Sequence, residues 1–257
     1  VDATWFPPFL NPEKTGRQAW AEGHIPGAVY FDIDAIKAGG TDLPHMLPDP
    51  VMFSSRARKL GLGDGNRIIV YDQFNFFASA RVWWMLRVMG QRDVKVLDGG
   101  LKAWTDAGGE TEDLPPVAVE RHFTARVRSD LLKDSDQMLA ASANSSHNII
   151  DSRSAERFSG EAPEPREGLP SGHIPGSICL PSGELRTEDG RMKSAEELGK
   201  LFPNPLAPTI ATCGSGVSAA VTALALARLG NWDVAVYDGS WAEWASDASR
   251  PVATGTA

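Results

Sequence analysis

Short runs of β-branched residues alternate along this chain with longer stretches of helical spacing. Residues 67–71 form one such run and read as a buried strand. Residues 78–90 follow with helical spacing and close on Gly90, and 94–97 make the next short strand. The order returns later in the chain. Residues 209–212 read as a strand, 217–229 as a helix apolar on nearly every face and stopped by Gly230, and 234–237 as a strand. Ser194-Ala195-Glu196-Glu197 is a capping box, which predicts a further helix start. Strand, helix, strand with short connections implies parallel pairing. The predicted fold class is therefore α/β, with parallel sheets flanked by helices on both faces.

Motifs repeat along with the pattern. Gly23-His24-Ile25-Pro26-Gly27-Ala28 returns as Gly172-His173-Ile174-Pro175-Gly176-Ser177. Val1-Asp2-Ala3 and Ile150-Asp151-Ser152 are separated by the same 149 positions. Val96-Leu97-Asp98-Gly99-Gly100 returns as Val236-Tyr237-Asp238-Gly239-Ser240. A period this long is a duplicated domain and not a solenoid. The expected division is 1–114 for the first domain, 115–128 for a linker that opens on Pro115-Pro116, and 129–257 for the second. His24 and His173 sit inside the repeated motif, so duplication marks them as fold elements. Trp83 and Trp84 lie in an apolar helix and read as core.

Composition narrows the function classes. The 257 residues carry a net charge of −8, which argues against binding to a nucleic-acid backbone. No stretch approaches eighteen consecutive apolar residues, so no membrane span is expected, and no signal peptide is visible at the start. The two cysteines, Cys179 and Cys213, make a disulfide framework improbable and point to a reducing compartment, the cytoplasm. Two cysteines and five scattered histidines give no zinc spacing, and Gly214-Ser215-Gly216 lacks the third glycine of a dinucleotide fingerprint. No metal and no cofactor are expected.

The repeat makes one position informative. After the strand 67–71 the first half has Asp72, and at the matching place the second half has Cys213. Cys213 opens Cys213-Gly214-Ser215-Gly216-Val217-Ser218, a strand-to-helix turn whose glycines let successive backbone N–H groups point inward. The helix end adds positive potential. A thiol held there should exist partly as the nucleophilic thiolate. The plainer reading of a cysteine is a buried structural thiol, and Cys179, within the apolar run Ile178-Cys179-Leu180, is assigned that role. Cysteine phosphatases also use a Cys loop that opens a helix. They need an arginine six residues on, where this chain has Ala219.

The tandem Gly-His-Ile-Pro-Gly elements, Arg81-Val82-Trp83-Trp84-Met85 and the Cys213 loop together resemble the rhodanese superfamily. Within it the loop is similar to that of 3-mercaptopyruvate sulfurtransferases. The thiosulfate branch usually carries basic residues directly after the cysteine, where this chain has Gly214 and Ser215. Thr is commoner in the family at the position of Ser218, which keeps the hydroxyl. The resemblance implies two rhodanese-like domains, the first degenerate and the second catalytic, with sulfur carried as a persulfide on Cys213. It also implies that Arg157 and Arg166 grip the carboxylate and keto oxygens of the donor, a task suited to guanidinium forks. The loop residues Gly214, Gly216, Val217 and Ser218 would cradle the sulfur. Ser215, His45 and Asp34 match a proposed Ser-His-Asp relay across the domain interface, Asp34 fixing the tautomer of His45. Arg153 is given a structural role after its strand, and Trp241 a place beside the site. The implied partners are a small anionic sulfur donor and a thiol acceptor such as thioredoxin or a small dithiol, with the protein acting as a monomer. Two other readings stand beside this one: a thiosulfate sulfurtransferase, and a noncatalytic rhodanese-like binding module.

Overall fold

A computed structural model describes residues 1–74 and 76–256. In chain order the helices are α1 (Gly16–Glu22), α2 (Pro50–Lys59), α3 (Phe77–Val88), α4 (Gly100–Asp106), α5 (Ser135–Asn144), α6 (Ala155–Ser159), α7 (Ala195–Leu201), α8 (Ala219–Arg228) and α9 (Ser240–Trp244). The strands are β1 (Ile68–Val70), β2 (Val94–Val96), β3 (Leu132–Lys133), β4 (Asn148–Asp151), β5 (Ser177–Cys179), β6 (Thr209–Thr212) and β7 (Ala235–Tyr237). Two units result. The first holds Val1–Gly39, Leu47–Arg128 and Glu188–Arg191; the second holds Gly40–Met46, Ser129–Thr187 and Met192–Ala257.

In the second unit five strands pair in the order β3-β7-β6-β4-β5, all parallel. The central strand β6 is buried at every residue, as a strand covered on both faces must be. On one face Met138 and Ala141 of α5 and Trp241 and Trp244 of α9 pack with Ile149, Ile210, Ala235 and Tyr237. Helix α8 lies along β6 and β7 with eight of its ten residues buried, which explains why its sequence is apolar all round. It starts at Ala219, two residues later than the spacing predicts, because Gly216 turns the chain at φ +77° and residues 217 and 218 complete the turn.

The first unit keeps the same parallel scheme in shorter form. β1 pairs with β2, and Asp2 bridges in parallel to both Tyr30 and Tyr71. α3 buries ten of its twelve residues, Trp83 and Trp84 among them. The segment 115–128, expected as a linker, packs on this unit. Phe123 is buried against Phe53, and the N–H groups of Arg126 and Arg128 donate to the carbonyls of Met89 and Val88.

The repeated histidines are fold elements in atomic detail. His24 Nδ1 lies 2.8 Å from the Trp20 carbonyl and His173 Nδ1 lies 2.9 Å from that of Phe158. Each ring stacks on that same aromatic residue. Each motif also bridges antiparallel to a later segment, His24 with Glu112 and His173 with Ala253. One stretch of equal length folds differently in the two units. Between Asp2 and His24, the stretch matching Asp151 to His173 of the second unit, the first unit places its helix α1 last, capped by the Thr15–Gln18 box. The second places α6 first, which leaves residues 160–171 as a loop before His173.

Candidate active site

β6 delivers Cys213 at its carboxyl end, where ligands of parallel sheets gather. Cys213 is 2% exposed. Its backbone N–H donates to the Ser240 hydroxyl at 3.1 Å, and its carbonyl accepts from Trp241 N–H at 2.9 Å. The Gly214 carbonyl accepts from Ala242 N–H at 3.0 Å. The first turn of α9 therefore turns the carbonyls of the loop toward itself. Among the described residues, no backbone carbonyl accepts from the N–H groups of Gly214, Ser215, Val217 or Ser218. Donors left open in this way form a concavity suited to an anion.

Two arginines close over the loop. A methyl group added at Gly214 would stand 3.0 Å from Arg157 Nη2 and 3.8 Å from Arg166 Nη1, so both guanidinium groups converge one residue from the thiol. Burial lowers the pKa of Arg166 from its ordinary value and Arg157 pushes the same way, while Cys213 and Glu164 oppose. Arg166 thus feels the thiol, the second arginine and the acid together.

Behind them lies an ionic network that the sequence did not reveal. Glu164 is buried and accepts from Arg153 Nη1 at 2.7 Å and from Arg157 Nε at 3.2 Å. Its other oxygen accepts from Arg157 Nη2 at 2.5 Å. Arg153 donates its remaining bonds to both oxygens of Asp151 and to the Gly172 carbonyl, and its guanidinium lies 4.5 Å from the centre of the Trp241 ring. Burial works to lower the pKa of Arg153, but Asp151 and Glu164 outweigh it and hold the value above the usual one. An acid set between prolines in Pro163-Glu164-Pro165, two residues before Arg166, is the one signal that could have drawn attention to Glu164. Ser240 was missed because its role follows from backbone geometry: it adopts φ +49° at the repeat position of Gly100.

His45 belongs to the second unit, within Gly40–Met46. Its Nδ1 lies 3.2 Å from Ser215 Oγ, 170 positions away in sequence, and both residues are buried. His45 holds φ +58°, a conformation a non-glycine residue keeps only where its surroundings impose it. Asp34 lies in the first unit, where its carboxylate accepts the Trp5 indole N–H at 2.7 Å. Gly216 shapes the loop, and Ser218 stands just before α8 as its cap residue. Cys179 sits at the end of β5 with its thiol 3.9 Å from the Arg153 carbonyl, and burial raises its pKa to about 11. A thiol so raised is protonated at neutral pH and a poor nucleophile. Among the described residues, no three His, Cys, Asp or Glu side chains gather to hold a metal ion. No helix among them is long and apolar enough to cross a membrane.

The chain is similar to known proteins over most of its length. The family model for the rhodanese-like domain matches the chain twice, over residues 14–107 and 134–247. A 3-mercaptopyruvate sulfurtransferase of Escherichia coli (strain K12) is 42% identical over 244 residues, covering 93% of this chain and 86% of that protein. A thiosulfate sulfurtransferase of Gallus gallus is 38% identical over 250 residues, covering 95% of this chain and 84% of that protein. The crystal structure of SseA from Escherichia coli matches with a TM-score of 0.84 and 39% identity, over 93% of this chain and 91% of that one.

Proposed function

The chain belongs to the rhodanese family, and on that premise we propose that it takes sulfur from 3-mercaptopyruvate as a persulfide on Cys213 and passes it to a thiol or cyanide. Its two rhodanese-like domains divide the work. Residues 129–257 carry Cys213, its loop and the two arginines, 1–114 contribute His45 but otherwise form a degenerate copy with Asp72 at the cysteine position, and 115–128 join them. The observation that carries the reading is the convergence of Arg157 and Arg166 on Gly214, beside a buried thiol in a loop of open N–H donors.

The reaction follows as two displacements. Cys213, as its thiolate, attacks the donor sulfur; the S–S bond forms and the S–C bond breaks. The electron pair goes to the methylene carbon, and pyruvate leaves as its enolate. That carbon takes up a proton equivalent to the one the donor thiol loses, so Cys213 persulfide and pyruvate are the balanced products. Arg157 and Arg166 hold the carboxylate and keto oxygens and stabilise the enolate as charge moves onto the keto group. Ser215 and His45, already paired, carry the proton. The N–H groups of Gly214, Val217 and Ser218 cradle the outer sulfur, and Gly216 shapes the turn that presents them. In the second step an acceptor thiolate attacks that sulfur and Cys213 departs as thiolate.

Thioredoxin or a small dithiol is the acceptor class that matches this chemistry. Both cysteines are free, which suits a reducing compartment such as the cytoplasm. The Gallus gallus relative keeps thiosulfate as the second reading of the donor. Steady-state kinetics with both donors test the assignment. Pyruvate release with parallel double-reciprocal lines, and a larger kcat/KM for 3-mercaptopyruvate, are expected. A larger kcat/KM for thiosulfate would overturn the donor, and turnover with neither would leave a binding module.

A further inference from the structure

The donor's carboxylate needs more than two nearby arginines. Arg157 is a long side chain with many rotamers, and a free guanidinium beside Gly214 would spend most of its time elsewhere. Glu164 removes that freedom. Its carboxylate meets Arg157 through both Nε and Nη2, the two-pronged geometry that fixes a guanidinium plane. Glu164 is itself immobilised, because Arg153 grips it while bound to Asp151, to the Gly172 carbonyl and to the Trp241 face. A line of contacts thus runs from β4 through Asp151, Arg153 and Glu164 to Arg157, and ends over the loop that carries the thiol.

Resting on the sulfur-transfer reading of this site, we propose that Glu164 is a positioning residue that holds Arg157 in the orientation that receives the carboxylate of an α-keto acid. Charge alone predicts the opposite effect. The network sets three arginines, Arg153, Arg157 and Arg166, against two carboxylates, Asp151 and Glu164, which leaves one net positive charge. Neutralising Glu164 would add a second and draw an anion more strongly. Positioning predicts weaker binding in spite of that gain.

Binding of pyruvate, which shares the keto acid group, separates the two accounts without requiring turnover. The readout is protection of Cys213 from iodoacetamide, followed by mass spectrometry of the Cys213 peptide. In Glu164→Gln the pyruvate concentration for half-protection should rise about 10- to 100-fold, the range expected when a charge-assisted hydrogen-bond pair is lost. The KM for 3-mercaptopyruvate should rise in parallel, with kcat changed less. Glu164→Asp keeps the charge and shortens the reach, so it should fold where Gln does not and shift protection in the same direction by a smaller factor. In an Arg157→Ala background, Glu164→Gln should add nothing further to the loss. Equal or tighter protection in the Glu164 variants, or losses that simply multiply with those of Arg157→Ala, would overturn the positioning role alone. Failure of pyruvate to protect the wild-type protein would take down the site reading and this proposal with it.

Discussion

The loops after β1 and β6 occupy matching places in the duplicated frame. Leu101 N–H donates to the Asp72 carbonyl at 3.1 Å, and Trp241 N–H donates to that of Cys213 at 2.9 Å. Ala3 N–H donates to Tyr71 at 2.8 Å, and Ser152 N–H to Thr212 at 2.9 Å. Within that shared frame the centres differ. The Asp72 carboxylate accepts from the N–H groups of Phe74, Phe76 and Ser79 at 3.1, 3.3 and 2.8 Å, so the first loop supplies its own anion. The second loop puts a thiol there and leaves donors open. The frame thus makes an anion-receiving turn in both copies, and one residue decides whether the anion is built in or delivered by a reaction. The arginine-bearing loop is the other difference. Only in the second unit does the stretch before the Gly-His motif fold its helix first, which frees residues 160–171 to carry Glu164 and Arg166.

Exchanging the two centres breaks the comparison most severely. Cys213→Ala should lower turnover by about 10³-fold or more, because no other group supplies the nucleophile. Adding Asp72→Cys to that variant should restore nothing, since the first loop lacks the converging arginines; recovered turnover would show that the frame alone suffices. Next in size, His45→Ala and Ser215→Ala should each lower kcat by about 10²-fold, and the double variant should lose little more than either alone. Multiplying losses would mean that the two residues act separately. Arg157→Ala and Arg166→Ala should each raise the KM for 3-mercaptopyruvate about tenfold or more, with kcat less affected. An unchanged KM would remove the carboxylate from their charge.

The smallest catalytic effect belongs to Asp72→Asn, whose kcat and KM should equal those of the wild type. Its signature is in stability. Burial raises the Asp72 pKa to about 6, with the N–H groups of Ser79, Phe74 and Phe76 pulling it down, against about 3.9 in an unfolded chain. As pH rises the unfolded chain loses this proton first. The stability linked to protonated Asp72 is therefore complete below about pH 4 and gone once pH passes about 6, a loss of about 3 kcal/mol. Urea unfolding from pH 4 to 7 should show Asp72→Asn gaining on the wild type by about that amount. Parallel curves would mean that Asp72 is already ionised at pH 4.

What the sequence reveals, and what it hides, divides along physical lines. Local periodicity and the repeated Gly-His motif make the strands, the helices and the duplication legible, because each is encoded within a few residues. Cys213 is legible for the same reason, as a thiol set in a glycine-rich turn. Helix starts are less so: the strongly apolar run 217–229 hides the turn at Gly216 that delays α8 to Ala219. The segment 115–128 looks like a linker because of its prolines, while the burial of Phe123 depends on a distant Phe53. The pairing of His45 with Ser215 spans 170 positions and could be reached only through the family resemblance. Glu164 left only its place between two prolines as a trace, since its importance is created by Arg153 and Arg157 meeting it in space.

Intact mass after brief incubation with 3-mercaptopyruvate tests the central claim most directly. The wild-type protein should gain about 32 Da, one sulfur, while releasing one pyruvate, and peptide mapping should locate the gain on Cys213. Cys213→Ala should gain nothing although Cys179 remains. A gain that survives Cys213→Ala, or a wild-type mass that does not change, would contradict the account.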